Sequence, residues 1–335
     1  MDKPTLTASE IGMLWTQYIQ NSMTHQILRY FHTTVEDHEI NNLIEKSLQI
    51  VDQVKHRIES IFHLEMLPIP IGFSESDVNE RAPRLFTDHL MLSFMETMGK
   101  TSTLAYSASQ GSSTRQDIRT FFTETLSNYS ALLNDIINTS LSKGMFVRPP
   151  SITKPKEVEF INDKSYFSNG LNPFRKRTLN AVEILHLFEN LKSNSIGKII
   201  CTGFAQTTDN KEVKKFFIKG KETGEKHVNI FIETLTKSDV ASPTSPDVGV
   251  TDSTTRVFSD KLMMFLKSVL SATGQGNYST ASTASMRYDL IALYQKLSLE
   301  VASYAKDGLD IMLKHQWLEE PPQSSDRKKI ISKQT

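Results

Sequence analysis

One cysteine, a cancelled charge and no long apolar run set the first limits. Cys201, being alone, cannot form an intramolecular disulfide, so a reducing cytosol is the simplest compartment. Lys plus Arg and Asp plus Glu each number 38, which leaves no global field to draw in nucleic acid or an anionic membrane. No stretch approaches the length of a membrane span. Met1-Asp2-Lys3-Pro4 has neither the basic nor the apolar region of a secretory signal, and the expected localisation is cytoplasmic. A phosphate-binding Gly-rich loop, zinc-finger spacing and a serine elbow are also missing, so no common catalytic signature marks the chain.

What the chain does contain is itself, twice. Leu6-Thr7-Ala8-Ser9-Glu10-Ile11 aligns with Leu179-Asn180-Ala181-Val182-Glu183-Ile184, an offset of 179 − 6 = 173. The same offset carries Asn21-Ser22 onto Asn194-Ser195 and Phe31 onto Phe204. One residue is then lost, and from Arg84 onward the offset is 256 − 84 = 172. Arg84-Leu85-Phe86-Thr87-Asp88 returns as Arg256-Val257-Phe258-Ser259-Asp260, Tyr106 as Tyr278, and Arg115-x-Asp117 as Arg287-x-Asp289. Matched spacing at this scale indicates an internal duplication. Two domains are expected, each burying its own core, over residues 1–150 and 179–322. Residues 151–178 read as a linker packed on the bundles through aromatics such as Phe160, Tyr166, Phe167 and Phe174. Residues 323–335 read as a disordered basic tail.

Each half reads as four helices, so the fold class is all-α. Ile11, Leu14, Trp15 and Tyr18 follow the spacing of one buried helical stripe, and Ile184, Leu187, Phe188 and Leu191 repeat it. Helix two carries Ile40, Leu43, Ile44, Ser47, Val51, Val54 and Ile58 on one side. Its copy has Val213, Phe216, Phe217, Gly220, Gly224, His227 and Phe231, and the two glycines predict close approach of a neighbour. Leu67-Pro68-Ile69-Pro70-Ile71-Gly72-Phe73 cannot be helical. From there to Arg81 the loop could span on the order of 55 Å, against about 42 Å for a 28-residue helix. Helix three, expected over about 82–109, therefore starts at the same end as helix two. That is the single-crossover, ferritin-like connection of a four-helix bundle, present once in each half. Helix four is expected from Thr114 to about Lys143, capped by the Ser112-Ser113-Thr114 or Thr283-Ala284-Ser285 turn and stopped by Gly144.

Two four-helix halves, the P-x-P-x-G-F loop, R-x-F-[ST]-D opening helix three, R-x-D opening helix four and a closing Pro-Pro (149–150, 321–322) resemble one family. It is the uncharacterised family of duplicated ferritin-like repeats from spore-forming Gram-positive bacteria, domain of unknown function 3231. The resemblance covers roughly Leu6 to Pro322. It implies a ferritin-like fold and a relation to ferritin-like spore-coat proteins, hence a spore association. The second copy departs from the pattern at its crossover, where Ser-Pro-Thr-Ser-Pro-Asp (242–247) replaces a more apolar sequence.

A ferritin-like di-metal site needs one Glu from each of two helices and Glu-x-x-His from each of the other two, all facing inward. Neither half assembles that set. His56 and Glu59 stand in reversed order with His63 beyond, and are weak candidates better read as a solvated helix edge. No cofactor is expected; iron or manganese is the alternative. The repeated polar residues carry more information. Glu10, Tyr106, Arg115 and Asp117 should gather at one end of the first bundle, and Glu183, Tyr278, Arg287 and Asp289 at the same end of the second. Each group is either a small polar site or an Arg–carboxylate pair that fixes helix register, and the second reading is preferred. Arg84 with Asp88, and Arg256 with Asp260, form pairs one turn apart that could tie helix three to the end of helix one. Met91, Met95, Met98, Met263 and Met264 read as core, and Cys201 as a buried small apolar residue.

The expected function is a non-enzymatic structural or interaction protein whose partners are proteins or further copies of itself. The alternative is a ferritin-like metal- or small-ligand-binding protein, an oxidoreductase in its strongest form, supported by fold analogy alone.

Overall fold

The computed structural model describes residues 4–168, 177–241 and 249–332. Helices α1 (Ala8–Thr34), α2 (His38–Leu64), α3 (Asp88–Ser112) and α4 (Gln116–Ser142) form the first bundle. Helices α5 (Ala181–Thr207), α6 (Lys211–Thr236), α7 (Asp260–Ala284) and α8 (Tyr288–Lys314) form the second. Short helices also occur at Ser165–Ser168 and Arg327–Ser332. Among the described residues no strand forms, only isolated bridges, and no helix is long and apolar enough to cross a membrane.

The stripes read from the sequence face inward. Leu14, Trp15 and Tyr18 are buried on α1, and Ile184, Leu187, Phe188 and Leu191 on α5. Side-chain caps start six of the eight long helices. Thr7 and Asn180 close capping boxes with Glu10 and Glu183; Asp37, Thr87, Asn210 and Ser259 cap α2, α3, α6 and α7. Each such cap stabilises its helix by about 1 kcal/mol. Gly144, at φ +66°, takes the left-handed conformation that ends the first bundle.

In each half the third long helix begins at the end where the second begins. The Asp88 carboxylate, in the first turn of α3, accepts from the backbone N–H of Glu36 (3.2 Å) and Asp37 (2.8 Å), so α3 begins where α2 begins. In the second half the Thr208 hydroxyl donates to Asp260 at 2.8 Å. α3 starts at Asp88, six residues later than expected. Residues 84–87 are extended instead: Phe86 bridges antiparallel to Val250, and Pro83 stands just before them. Arg84 therefore precedes the helix, and its pair with Asp88 spans the helix start.

These extended segments join the halves. The N–H of Asn79 donates to the carbonyl of Val257 (2.7 Å), and Thr251 N–H to Leu85 (2.9 Å). Ser259 N–H donates to Asp77 (2.9 Å), and Thr87 N–H to Gly249 (3.1 Å). The offset of 172 exchanges the members of each couple, so the contact is two-fold symmetric, the isologous geometry of a homodimer built within one chain. Aromatic rings obey the same symmetry. Phe31 meets Phe86 edge-on at 6.3 Å, and Phe204 meets Phe258 edge-on at 6.1 Å. One exchange breaks it. Tyr30 packs on Phe258 at 5.4 Å, whereas its counterpart is Gly203, where a Cβ would lie 2.7 Å from the Phe86 ring.

The separate cores expected for the two halves are replaced by one larger arrangement. Buried apolar side chains of both halves join in a single cluster through this contact, from Leu14 to Met312. A smaller cluster, including Phe231, Tyr278 and Tyr294, fills the far end of the second bundle. The Phe86 and Phe258 rings make the join: Phe86 packs on Phe31 of its own half and Phe204 of the other, and Phe258 on Phe204 of its own half and Tyr30 of the other.

Candidate functional site

The repeated carboxylates prove to be shared caps. Glu10 is fully buried, and its carboxylate accepts from Thr7 N–H (2.8 Å), Thr114 N–H (2.8 Å) and Arg115 N–H (2.8 Å). It thus begins α1 and α4 together. The Ser/Thr turn before α4 was expected to cap it; the N-cap residue is Arg115, which makes no side-chain cap, and the distant Glu10 supplies the acceptor. Burial opposes the charge on Glu10, but the N–H donors of Arg115 and Thr7 and the Thr7 hydroxyl outweigh it and hold the carboxyl at about 2. The Arg115 guanidinium does not pair with Glu10; it binds Asp117 at 2.7 Å, Glu65 at 2.6 Å and the Pro4 carbonyl at 3.2 Å. In the second half Glu183 accepts from Met286 N–H (3.2 Å) and Arg287 N–H (3.1 Å), and Arg177 adds a two-pronged pair at 2.7 and 2.8 Å. Arg287 binds Asp289 at 2.6 Å.

Tyr106 and Tyr278 belong elsewhere. Each receives a hydrogen bond from the mid-helix asparagine of its own half, Asn21 at 2.9 Å and Asn194 at 2.8 Å. The sequence reading gathered Tyr106 with Glu10 and Tyr278 with Glu183 at the end of each bundle; the structure sets both tyrosines against the middle of the first helix of their half instead. Asn21 then accepts from Tyr129 (3.0 Å), while Ser22 accepts from Phe73 N–H (3.1 Å), so that Ser22 meets the crossover loop and not another helix. His56 is exposed and contacts Glu59 at 3.2 Å. Among the described residues no three His, Cys, Asp or Glu side chains converge in a group suited to a metal ion. Arg84 pairs with Glu36 and Asp88, and Arg256 with Asp260 at 3.4 Å.

A site that the sequence reading passed over lies at the middle of the second bundle. There Tyr278 contacts His227 Nδ1 at 2.9 Å, and His227 Nε2 contacts Glu300 at 3.1 Å. Burial lowers the His227 pKa, with Glu300 pulling the other way. Beside this chain is a cavity of about 50 Å³ bounded by all four helices and by Thr97 of α3. The Lys267 ammonium enters it, 5.2 Å from the centre of the Tyr304 ring. Gly220 makes room for its polar wall: a Cβ there would lie 2.3 Å from the Tyr304 hydroxyl and 2.9 Å from Cys201 Sγ. Burial pushes both the Cys201 thiol and the Tyr304 phenol upward, so neither is ionised near neutrality.

The first bundle has a cavity at the matching place, of about 30 Å³. Its wall is different. Leu28 stands for Cys201, Ser47 for Gly220, Val51 for Gly224, Met95 for Lys267 and Leu132 for Tyr304, and Val54 for His227 nearby. Subtracting one copy from the other would have exposed this concentration of polar-for-apolar exchanges; a search for known motifs could not. A cleft of about 390 Å³ between the bundles shares Thr97 and Ser193 with the second-bundle cavity, and is lined by Lys100, Lys192, Glu96 and Glu189. Glu96, buried, is held there by Lys192 at 2.7 Å and Lys100 at 3.1 Å.

A family model described as "Protein of unknown function (DUF3231)" matches residues 1–158 and again 168–330. A solved structure from Bacillus halodurans, described as that of a "putative spore coat protein", is 18% identical, with 45% of this chain and 98% of that one covered at a TM-score of 0.41. No curated protein matches.

Proposed function

This chain belongs to the family of unknown function DUF3231, and on that premise we propose that it is a non-enzymatic structural protein of the spore-forming cell, a permanently paired bundle unit that docks other proteins or further copies of itself. The observation that carries the reading is the reciprocal pairing of the crossover segments, Asn79 to Val257 and Thr251 to Leu85. A two-fold contact between separate subunits depends on their concentration. Fusing the two copies makes the same contact intramolecular and removes that dependence. Such a unit suits a role in which a fixed shape is needed at any abundance. The association with sporulation rests on the family resemblance described above.

The test is made in the organism that carries the chain. An epitope-tagged copy, followed through growth and sporulation, should accumulate during sporulation and stay with washed spores, and its deletion should lower spore resistance to lysozyme or heat. A protein confined to growing cells, with normal spores in its absence, would overturn the proposal.

A further inference from the structure

We propose that the cavity of the second bundle binds a short-chain carboxylate, with its charged end on Lys267 and its alkyl end against Ile196, Leu270 and Val301. This goes beyond the structural reading and stands without it. The first bundle is the internal control. At the same place it buries Met95 beside Leu28, Val51 and Leu132, with no charged side chain on the wall, so a neutral lining is available to this fold. The second bundle keeps a lysine there instead. A partly buried ammonium is costly unless compensated; Lys267 has the face of the Tyr304 ring at 5.2 Å, but among the described residues no carboxylate within ion-pair distance. Glu300 does not supply one: it is bound to Lys226 at 2.8 Å and to His227 at 3.1 Å.

A second observation points the same way. Ser271 lines this cavity, is 5% exposed, and has no hydrogen-bond partner among the described residues. A cation and an unpaired hydroxyl on one wall suit a carboxylate, which accepts from both. The remaining aliphatic wall favours an alkyl group over a fully polar oxyanion. About 50 Å³ corresponds to roughly three to five water-sized positions, the size of a two- or three-carbon acid. Entry is through the cleft between the bundles, by way of Thr97 and Ser193.

Isothermal titration of the full chain with sodium propionate tests this, with propionamide as the neutral isostere and inorganic phosphate as the polar alternative. Saturable binding of propionate is expected, with propionamide and phosphate each weaker by about tenfold or more. Lys267→Met copies Met95 of the first bundle and should weaken propionate binding by at least about tenfold. Val301→Tyr copies Tyr129 and should abolish it by filling the space, and it serves as the second variant should the first lose its helical circular dichroism. The absence of saturable propionate binding, equal binding of propionamide, preference for phosphate, or unchanged binding in a folded variant would each overturn the assignment.

Discussion

Replacing Glu10 by Gln removes the charge from a buried group that begins two helices at once. Above pH 5 the native carboxylate satisfies Thr7, Thr114 and Arg115 N–H groups together. A Gln side chain has one acceptor oxygen, and its NH₂ would face donors. The carboxyl is held at about 2 against an ordinary 4.5, a difference worth about 3 kcal/mol at 1.36 kcal/mol per pH unit. That is an upper bound, because Thr7 and Thr114 are reached by solvent and their bonds are weakened accordingly; about 2 kcal/mol is the working figure. For a chain of 335 residues, an unfolding entropy of about 2.1 cal/mol/K per residue converts this to a fall in Tm of about 3 °C. The sign with pH follows from the lowered pKa. The contribution is complete above 4.5 and is lost as pH falls toward 2. Calorimetry of the native chain and Glu10→Gln at pH 7 and pH 3 should therefore show a gap that narrows on acidification. A gap below about 0.5 kcal/mol at pH 7, or one that does not change with pH, would refute the shared-cap argument.

Phe258→Ala should cost about 3–5 kcal/mol, since the ring is 2% exposed at the junction of the halves, and should split a single thermal transition into two. Gly203→Ala forces a Cβ to 2.7 Å from the Phe86 ring and should lose about 1–3 kcal/mol in chemical denaturation. Asp88→Ala strips the acceptor from Glu36 and Asp37 N–H groups and should lower stability by about 1–2 kcal/mol, measured the same way. His227, whose pKa burial lowers, should stay neutral in an NMR titration at pH values where a free histidine is half charged; protonation at the ordinary 6.5 would contradict its buried placement.

The helices and their inward faces were legible because periodicity is local: each of Ile40, Ile44, Val51 and Ile58 declares its own side of α2. The crossover was legible as a length argument, and Asp88 meets the start of α2 as that argument requires. Partners at a distance were less so. Glu10 was placed at the correct end, yet its donors are the backbone N–H groups of Thr114 and Arg115, which no side-chain pattern signals. The shared core depends on Phe86 and Phe258 reaching across to the other half, a nonlocal event invisible to a reading that treats each repeat alone. The polar wall of the second cavity was missed for the opposite reason: similarity between the copies drew attention, whereas the information lay in their differences at Met95 and Lys267.

The matched loops also make the molecule divisible. Cleaved in the exposed stretch around Phe160, the fragments should find each other again unaided, since every bond that unites them is non-covalent. A fragment expressed alone would instead meet its own twin, offering Tyr30 to a neighbour's Phe86 as it now offers it to Phe258. Split-reporter tags on the severed pieces would turn that reassembly into a signal.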